Sequence, residues 1–167
     1  MRLESGAAVA PAGSATPTHA PEWIIVGCGD VRLGFALARV SEIVPPPPMT
    51  RVPGSTAAAL GLASVRGRLV TVLDLGMALE LSAGAGGEES RLLLIEQAGR
   101  SIGLAVDAVL GIVRAEPSAA DATGPGSAPV LGVCHTAGAE FYALDADRLL
   151  RQLPLERDEG LQEGRYP

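Results

Sequence analysis

Residues Leu60 to Leu75 read LGLASVRGRLVTVLDL. Leu60-Gly61 has the form of a helix end, because glycine takes the left-handed conformation that closes a helix. A short extended link follows. Arg66-Gly67 is a turn, and Leu69-Val70-Thr71-Val72-Leu73 is a strand rich in β-branched residues. Asp74 stops the strand. Its side chain suits the start of a short helix over 75–81, where a carboxylate accepts from orphan amides.

Upstream, Trp23 to Cys28 is a second strand candidate, and Gly29-Asp30 turns it back into Val31 to Leu37. Residues 38–44, ARVSEIV, make a short turn or bent strand with Val40 and Ile43 inward. Pro45 to Pro48 offers no backbone donors and crosses the surface as a stiff link. Ser55 is placed to cap a helical turn over 56–60 that ends at Gly61. Residues 82–89 read as a loose linker.

The second half echoes the first. Arg91 to Gln97, the Ala98-Gly99 turn, Ser101 to Val106 and the run 108–113 repeat the opening elements. At an offset of 69 residues, Gly34 meets Gly103, Val40 meets Val109 and Ile43 meets Ile112. At an offset of 71, Leu60-Gly61 meets Leu131-Gly132, Gly67 meets Gly138 and Leu73-Asp74 meets Leu144-Asp145. An ordered match of this kind implies two pseudo-equivalent lobes, roughly 22–81 and 91–153, within one domain over 22–154. Val130 to Cys134 and Phe141 to Leu144 supply the last strands. Asp145 caps a final helix with Leu149, Leu150 and Leu153 on its apolar side, and Pro154 ends it. Closure of each short sheet into a small barrel would remove its edges. Residues 1–21 form a flexible arm too poor in apolar area to order itself, and 155–167 a charged tail.

Composition narrows the function. The chain has 167 residues, 47% of them hydrophobic but only 3% aromatic, so the core is aliphatic. With 21 glycines and 13 prolines, long helices are disfavoured. The formal charge is −6, every basic residue is Arg, and no basic stripe exists, which argues against nucleic-acid binding. No apolar run approaches the ~20 residues of a membrane helix. The opening residues make a poor secretory leader, so a soluble cytoplasmic protein with two buried thiols is expected.

No catalytic, cofactor or metal constellation emerges. Cys134 and His135 are adjacent on a strand and therefore point to opposite faces. Two cysteines and two histidines leave little for a metal site. Asp74 and Asp145 occupy equivalent capping positions. No glycine cluster has a phosphate-cradle spacing, and Lys is absent. What remains is a binding surface. Arg66 and Arg68 flank Gly67, and an arginine beside apolar residues packs its stem while offering directed donors. The alternative is a solvated turn arginine. Val40, Ala59 and Leu62 are apolar residues near expected turns, where some can escape full burial; the alternative for Val40 is an ordinary core position. A groove between lobes would dock an amphipathic helix.

The order of these pieces resembles the CheW-like family of bacterial chemosensory coupling proteins. The resemblance rests on Gly34-Phe35-Ala36-Leu37, Val40-Ser41-Glu42-Ile43, Pro53 and Gly61-Leu62-Ala63-Ser64-Val65-Arg66-Gly67. It continues through Val72-Leu73-Asp74-Leu75 and Ile102-Gly103-Leu104-Ala105-Val106-Asp107. Ser64 and Gly76 depart from the Asn and Arg frequent in the family. The resemblance implies a mostly β, CheW-like fold: two small five-stranded β-barrel lobes with a few short helices. It implies a non-catalytic adaptor without cofactor or metal, coupling the cytoplasmic tip of a methyl-accepting chemoreceptor to the regulatory domain of a chemotaxis histidine kinase. Such an adaptor is cytoplasmic and recruited to membrane receptor arrays, without membrane insertion. Val40, Glu42, Gly61 and Arg66 match receptor-contact positions. With Leu62 and Gly67 they are the candidate partner-binding residues. A diverged scaffold outside motility, or a small-molecule-binding or enzymatic β protein, are the alternative functions.

Overall fold

The structure, a computed structural model, describes residues 20–81, 86–119 and 123–153. The expected arm, the 82–89 linker, Pro154 and the charged tail lie wholly or partly outside them. Ten strands and two short α-helices are described: β1 (Glu22–Cys28), β2 (Val31–Ala36), β3 (Glu42–Val44), β4 (Ala59–Val65), β5 (Arg68–Asp74), α1 (Leu75–Ala78), β6 (Arg91–Gln97), β7 (Arg100–Val106), β8 (Ala108–Arg114), β9 (Val130–His135), β10 (Glu140–Leu144) and α2 (Ala146–Gln152). A 3-10 turn over Leu37–Arg39 separates β2 from β3.

Two five-stranded sheets result, in the orders β9-β10-β2-β1-β8 and β3-β6-β7-β5-β4. Their registers repeat. Ile24 lies opposite Ile112, and Leu93 opposite Ile43, with the same 69-residue offset for both partners. In the parallel pairs, Ala143 meets Gly34 and Val72 meets Gly103. Each sheet therefore combines one repeat's opening hairpin with the other repeat's last three strands. The division into 22–81 and 91–153 describes the repeat along the sequence, while the sheets interleave the two halves.

Three apolar clusters follow from strand alternation. The largest lies between the sheets and includes Ile24, Val26, Leu33, Phe35, Leu73, Leu93, Ile95, Ile102 and Leu104. The other faces curl around smaller clusters. One holds Trp23, Ile25, Cys134, Phe141 and Ala143. Its counterpart holds Leu92, Leu94, Ala63, Val70 and Val72, the same positions of the repeat with aliphatic side chains in place of Trp23 and Phe141. The aromatic content is thus concentrated in one sheet, with the Trp23 and Phe141 ring centroids 6.3 Å apart.

Neither sheet closes into a barrel, contrary to the sequence expectation. The order leaves β8 and β9 as edges of the first sheet, and β3 and β4 as edges of the second. The physical need for closure is met otherwise. Thr50 exchanges two 2.8 Å backbone hydrogen bonds with Leu62 on the outer side of β4. Ser118 does the same with Val133 on β9, at 2.8 and 3.1 Å. Gly61 and Gly132 make these approaches possible: each has positive φ and sits at a bulge, and a Cβ there would collide with the Thr50 or Ser118 carbonyl. Strand β3 stops after three residues, where the four prolines begin.

The expected helical turn over 56–60 is absent. Ala59 instead opens β4 and pairs with Leu73, because packing against the core outweighs the weak helix preference of an Ala run. The caps appear where expected: Asp74 accepts from Met77 N at 3.0 Å and Asp145 from Arg148 N at 3.1 Å. Helix α1 is shorter than the expected 75–81.

Candidate functional site

Residues Arg66 and Gly67 form the two-residue turn joining β4 to β5, with φ of 53° and 80°. Positive φ at both central positions marks the hairpin turn whose twist matches the flanking strands. The turn throws the Arg66 side chain outward, 72% exposed. Its guanidinium returns across the end of the sheet to Glu42 on the edge strand β3, with Nε donating to Oε2 at 2.6 Å. That hydrogen bond holds the Glu42 carboxyl below the usual glutamate range and raises the arginine in turn. A parallel connection lies beside it. Arg68 donates to Glu96 at 3.0 Å, and the Ser101 hydroxyl donates to the same carboxylate at 2.8 Å. Both bonds lower the Glu96 pKa. The two ion pairs leave a cavity of only about 50 Å³ above Val70 and Leu94.

Next to this polar cover lies an apolar cleft of about 400 Å³ lined by Val52, Gly61, Leu62, Leu69 and Thr71. Alternation on β5 explains it. Leu73 is fully buried between the sheets; Thr71 and Leu69, two and four residues earlier, share its face but are progressively less buried. Leu69 is 69% exposed as a result.

The six candidate residues divide between these features. Glu42 and Arg66 meet in the ion pair, and Gly61 and Leu62 line the apolar cleft, which shares Arg68 and Ser101 with the polar cavity. At Gly67 an added Cβ would meet open space. Val40 packs its side chain against the inter-sheet core. Sequence reading did not single out Leu69, Glu96 or Ser101. Leu69 carried a usable signal, since it alternates with the inward Val70 and Val72. Glu96 and Ser101 did not, because their convergence depends on which strands pair.

Elsewhere several polar residues have structural partners. His135 points outward and pairs through Nδ1 with Glu140 at 2.9 Å, while Cys134 is fully buried on the other face. Asp107 accepts from Gly29 N at 2.7 Å and ties the β1–β2 turn. Both cysteines are free and buried. Among the described residues, no three His, Cys, Asp or Glu side chains gather as a metal site requires. Nor is any helix there long and apolar enough to cross a membrane. The site offers exposed apolar area beside directed charges, the chemistry of protein docking.

Comparison with known proteins places this geometry in context. A family model described as the CheW-like domain matches residues 22–153. Among solved structures, the chain is similar to the scaffolding protein TtCheW from Thermoanaerobacter tengcongensis, with a TM-score of 0.68 and 21% identity. The alignment covers 78% of this chain and 87% of that one. No curated protein matches the chain significantly.

Proposed function

Because the chain belongs to the CheW-like domain family, whose members are non-catalytic scaffolds of chemotaxis signalling, we propose that its two partners are a chemoreceptor tip and the regulatory domain of a chemotaxis-type histidine kinase. The coupling role itself follows from the family. The partners, the contact residues and a cytoplasmic place of work beside receptor arrays are our reading.

The observation that carries this reading is the joint placement of Arg66, Glu42 and the Leu62–Leu69 cleft. A helical receptor tip presents apolar side chains at one-turn spacing with charges beside them. The cleft takes the apolar residues, and Arg66 offers donors to a carboxylate at the rim. Gly61 lets the Thr50 backbone close against β4 beside the cleft, and Gly67 supplies the second positive-φ position of the turn that presents Arg66.

Titration of a soluble receptor-tip helical hairpin into the protein tests the assignment. Arg66→Glu is expected to weaken association about tenfold or more through repulsion and loss of donors. The charge-swapped pair Glu42→Arg/Arg66→Glu restores the internal ion pair but leaves binding weak. Unchanged affinity in both variants, with native amide spectra, would remove Arg66 from the contact.

A further inference from the structure

The cavity roofed by Glu42 and Arg66 has a counterpart in the first sheet. The offset of 69 maps Ser41, Glu42, Leu94, Glu96 and Ser101 onto Leu110, Gly111, Ile25, Gly27 and Arg32. The offset of 71 maps Val65, Arg66 and Arg68 onto Thr136, Ala137 and Ala139. The two cavities thus occupy the same place in the repeat, between an edge strand and the turn of the hairpin farthest from it.

Their contents differ. In the second sheet two ion pairs span the gap and leave about 50 Å³. In the first sheet every one of those four charged positions is Gly or Ala, and the cleft measures about 390 Å³. Its wall exposes Leu110, 53% accessible, with Ile25 and Val113 beneath it. At its rim stands Arg32, in the place of Ser101. Arg32 is exposed and has no ion-pair or hydrogen-bond partner among the described residues.

We infer that this open cleft between β8 and the β9–β10 turn is a second docking site, and that its occupant is a protein segment carrying an aliphatic side chain next to a carboxylate. Charge complementarity selects the occupant. In the second sheet the carboxylates Glu42 and Glu96 come from the protein itself and meet its own arginines. Here the arginine is present and the carboxylate is missing, in a chain of net charge −6. An apolar floor with one unmatched cation at the rim fits an acidic-aliphatic segment and disfavours a basic one. The position lies on a different sheet from Arg66, so both sites can be filled together. The inference rests on the adaptor reading only in expecting a second partner; the cleft's binding is measured by itself.

The test is an amide chemical-shift titration of the full chain with a capped helical peptide bearing Leu and Glu on one face, and with its Lys-for-Glu twin. The acidic peptide is expected to shift Ile25, Arg32, Gly111, Ile112 and Gly138. Arg32→Glu should weaken it about tenfold and improve binding of the Lys twin. Leu110→Ser, at an exposed position, should abolish the shifts without disturbing the fold. The inference is overturned if the shifts fall only on Gly61–Arg68, or if Arg32→Glu binds the acidic peptide as well as the parent does. Concentration-dependent shifts at these residues without peptide would also overturn it, assigning the cleft to a second copy. Loss of receptor binding at Arg66 leaves all of these outcomes readable.

Discussion

At Gly34 the backbone of β2 passes the ring of Phe141, and a Cβ there would lie 2.5 Å from a ring carbon. Phe141 is fully buried beside Trp23 and has nowhere to move. Gly34→Ala should therefore cost about 1–3 kcal/mol, the usual penalty of an overpacked core, measured by urea unfolding followed through Trp23, the only tryptophan. Gly27, where a Cβ would come no closer than 3.7 Å to Leu110, is the control and should tolerate alanine with little loss. Cys28 gives a pH signature. Burial, helped by Asp107 and Asp74, pushes its thiol from 9.0 up to about 12. The folded value exceeds the unfolded one, so this contribution to stability is intact below pH 9 and is lost as the pH rises toward about 12. Cys28→Ala should flatten that alkaline decline in unfolding free energy, and the native thiol should resist alkylation at pH 8. At this scale the sequence was informative where a residue's role is local. The Asp74 and Asp145 caps, the opposed faces of Cys134 and His135, and the Arg66-Gly67 turn were all readable from neighbours. The Arg66–Glu42 contact was not, because it joins residues 24 apart through a strand pairing that spacing does not specify.

Most strands were legible from alternating or β-branched runs, and their ends shifted by one or two residues. The misread element was 56–60. An Ala-rich run beside a possible Ser cap favours a helix locally, yet Ala58 and Ala59 are small enough to lie flat against the core, where the Ala58 carbonyl accepts from Asp74 N at 2.8 Å. The barrel expectation failed for a related reason. Edge protection was anticipated, but the means was hidden in loops. One residue, Thr50 or Ser118, covers each of β4 and β9, and no periodic pattern marks a single bridging residue. The same edges explain why the two cavities differ: a three-residue β3 with charged neighbours is bridged by side chains, while the seven-residue β8, carrying Leu110, is not.

Across the molecule, the 69- and 71-residue offsets predicted equivalence but not exchange. Equal repeats can stand side by side or trade strands, and both leave the same sequence trace. The register decides it, since β2 pairs in parallel with β10 and β5 with β7. A fragment over 20–81 then holds one sheet's hairpin and another sheet's last three strands, each without its partner. It should be largely unfolded alone, as should 86–153, by amide dispersion and circular dichroism. Mixing the two should restore the native spectrum. A fragment that folds by itself would contradict the exchanged arrangement.

The traded hairpins also carry an evolutionary implication. A single repeat of about 70 residues has no surface of its own on which to complete a sheet, but two identical copies related by a dyad would complete each other. Joining them in tandem makes assembly independent of concentration and releases the halves from identical sequence. The cavity of one sheet can then be locked by paired charges while that of the other stays unfilled, a difference that two identical copies could not show.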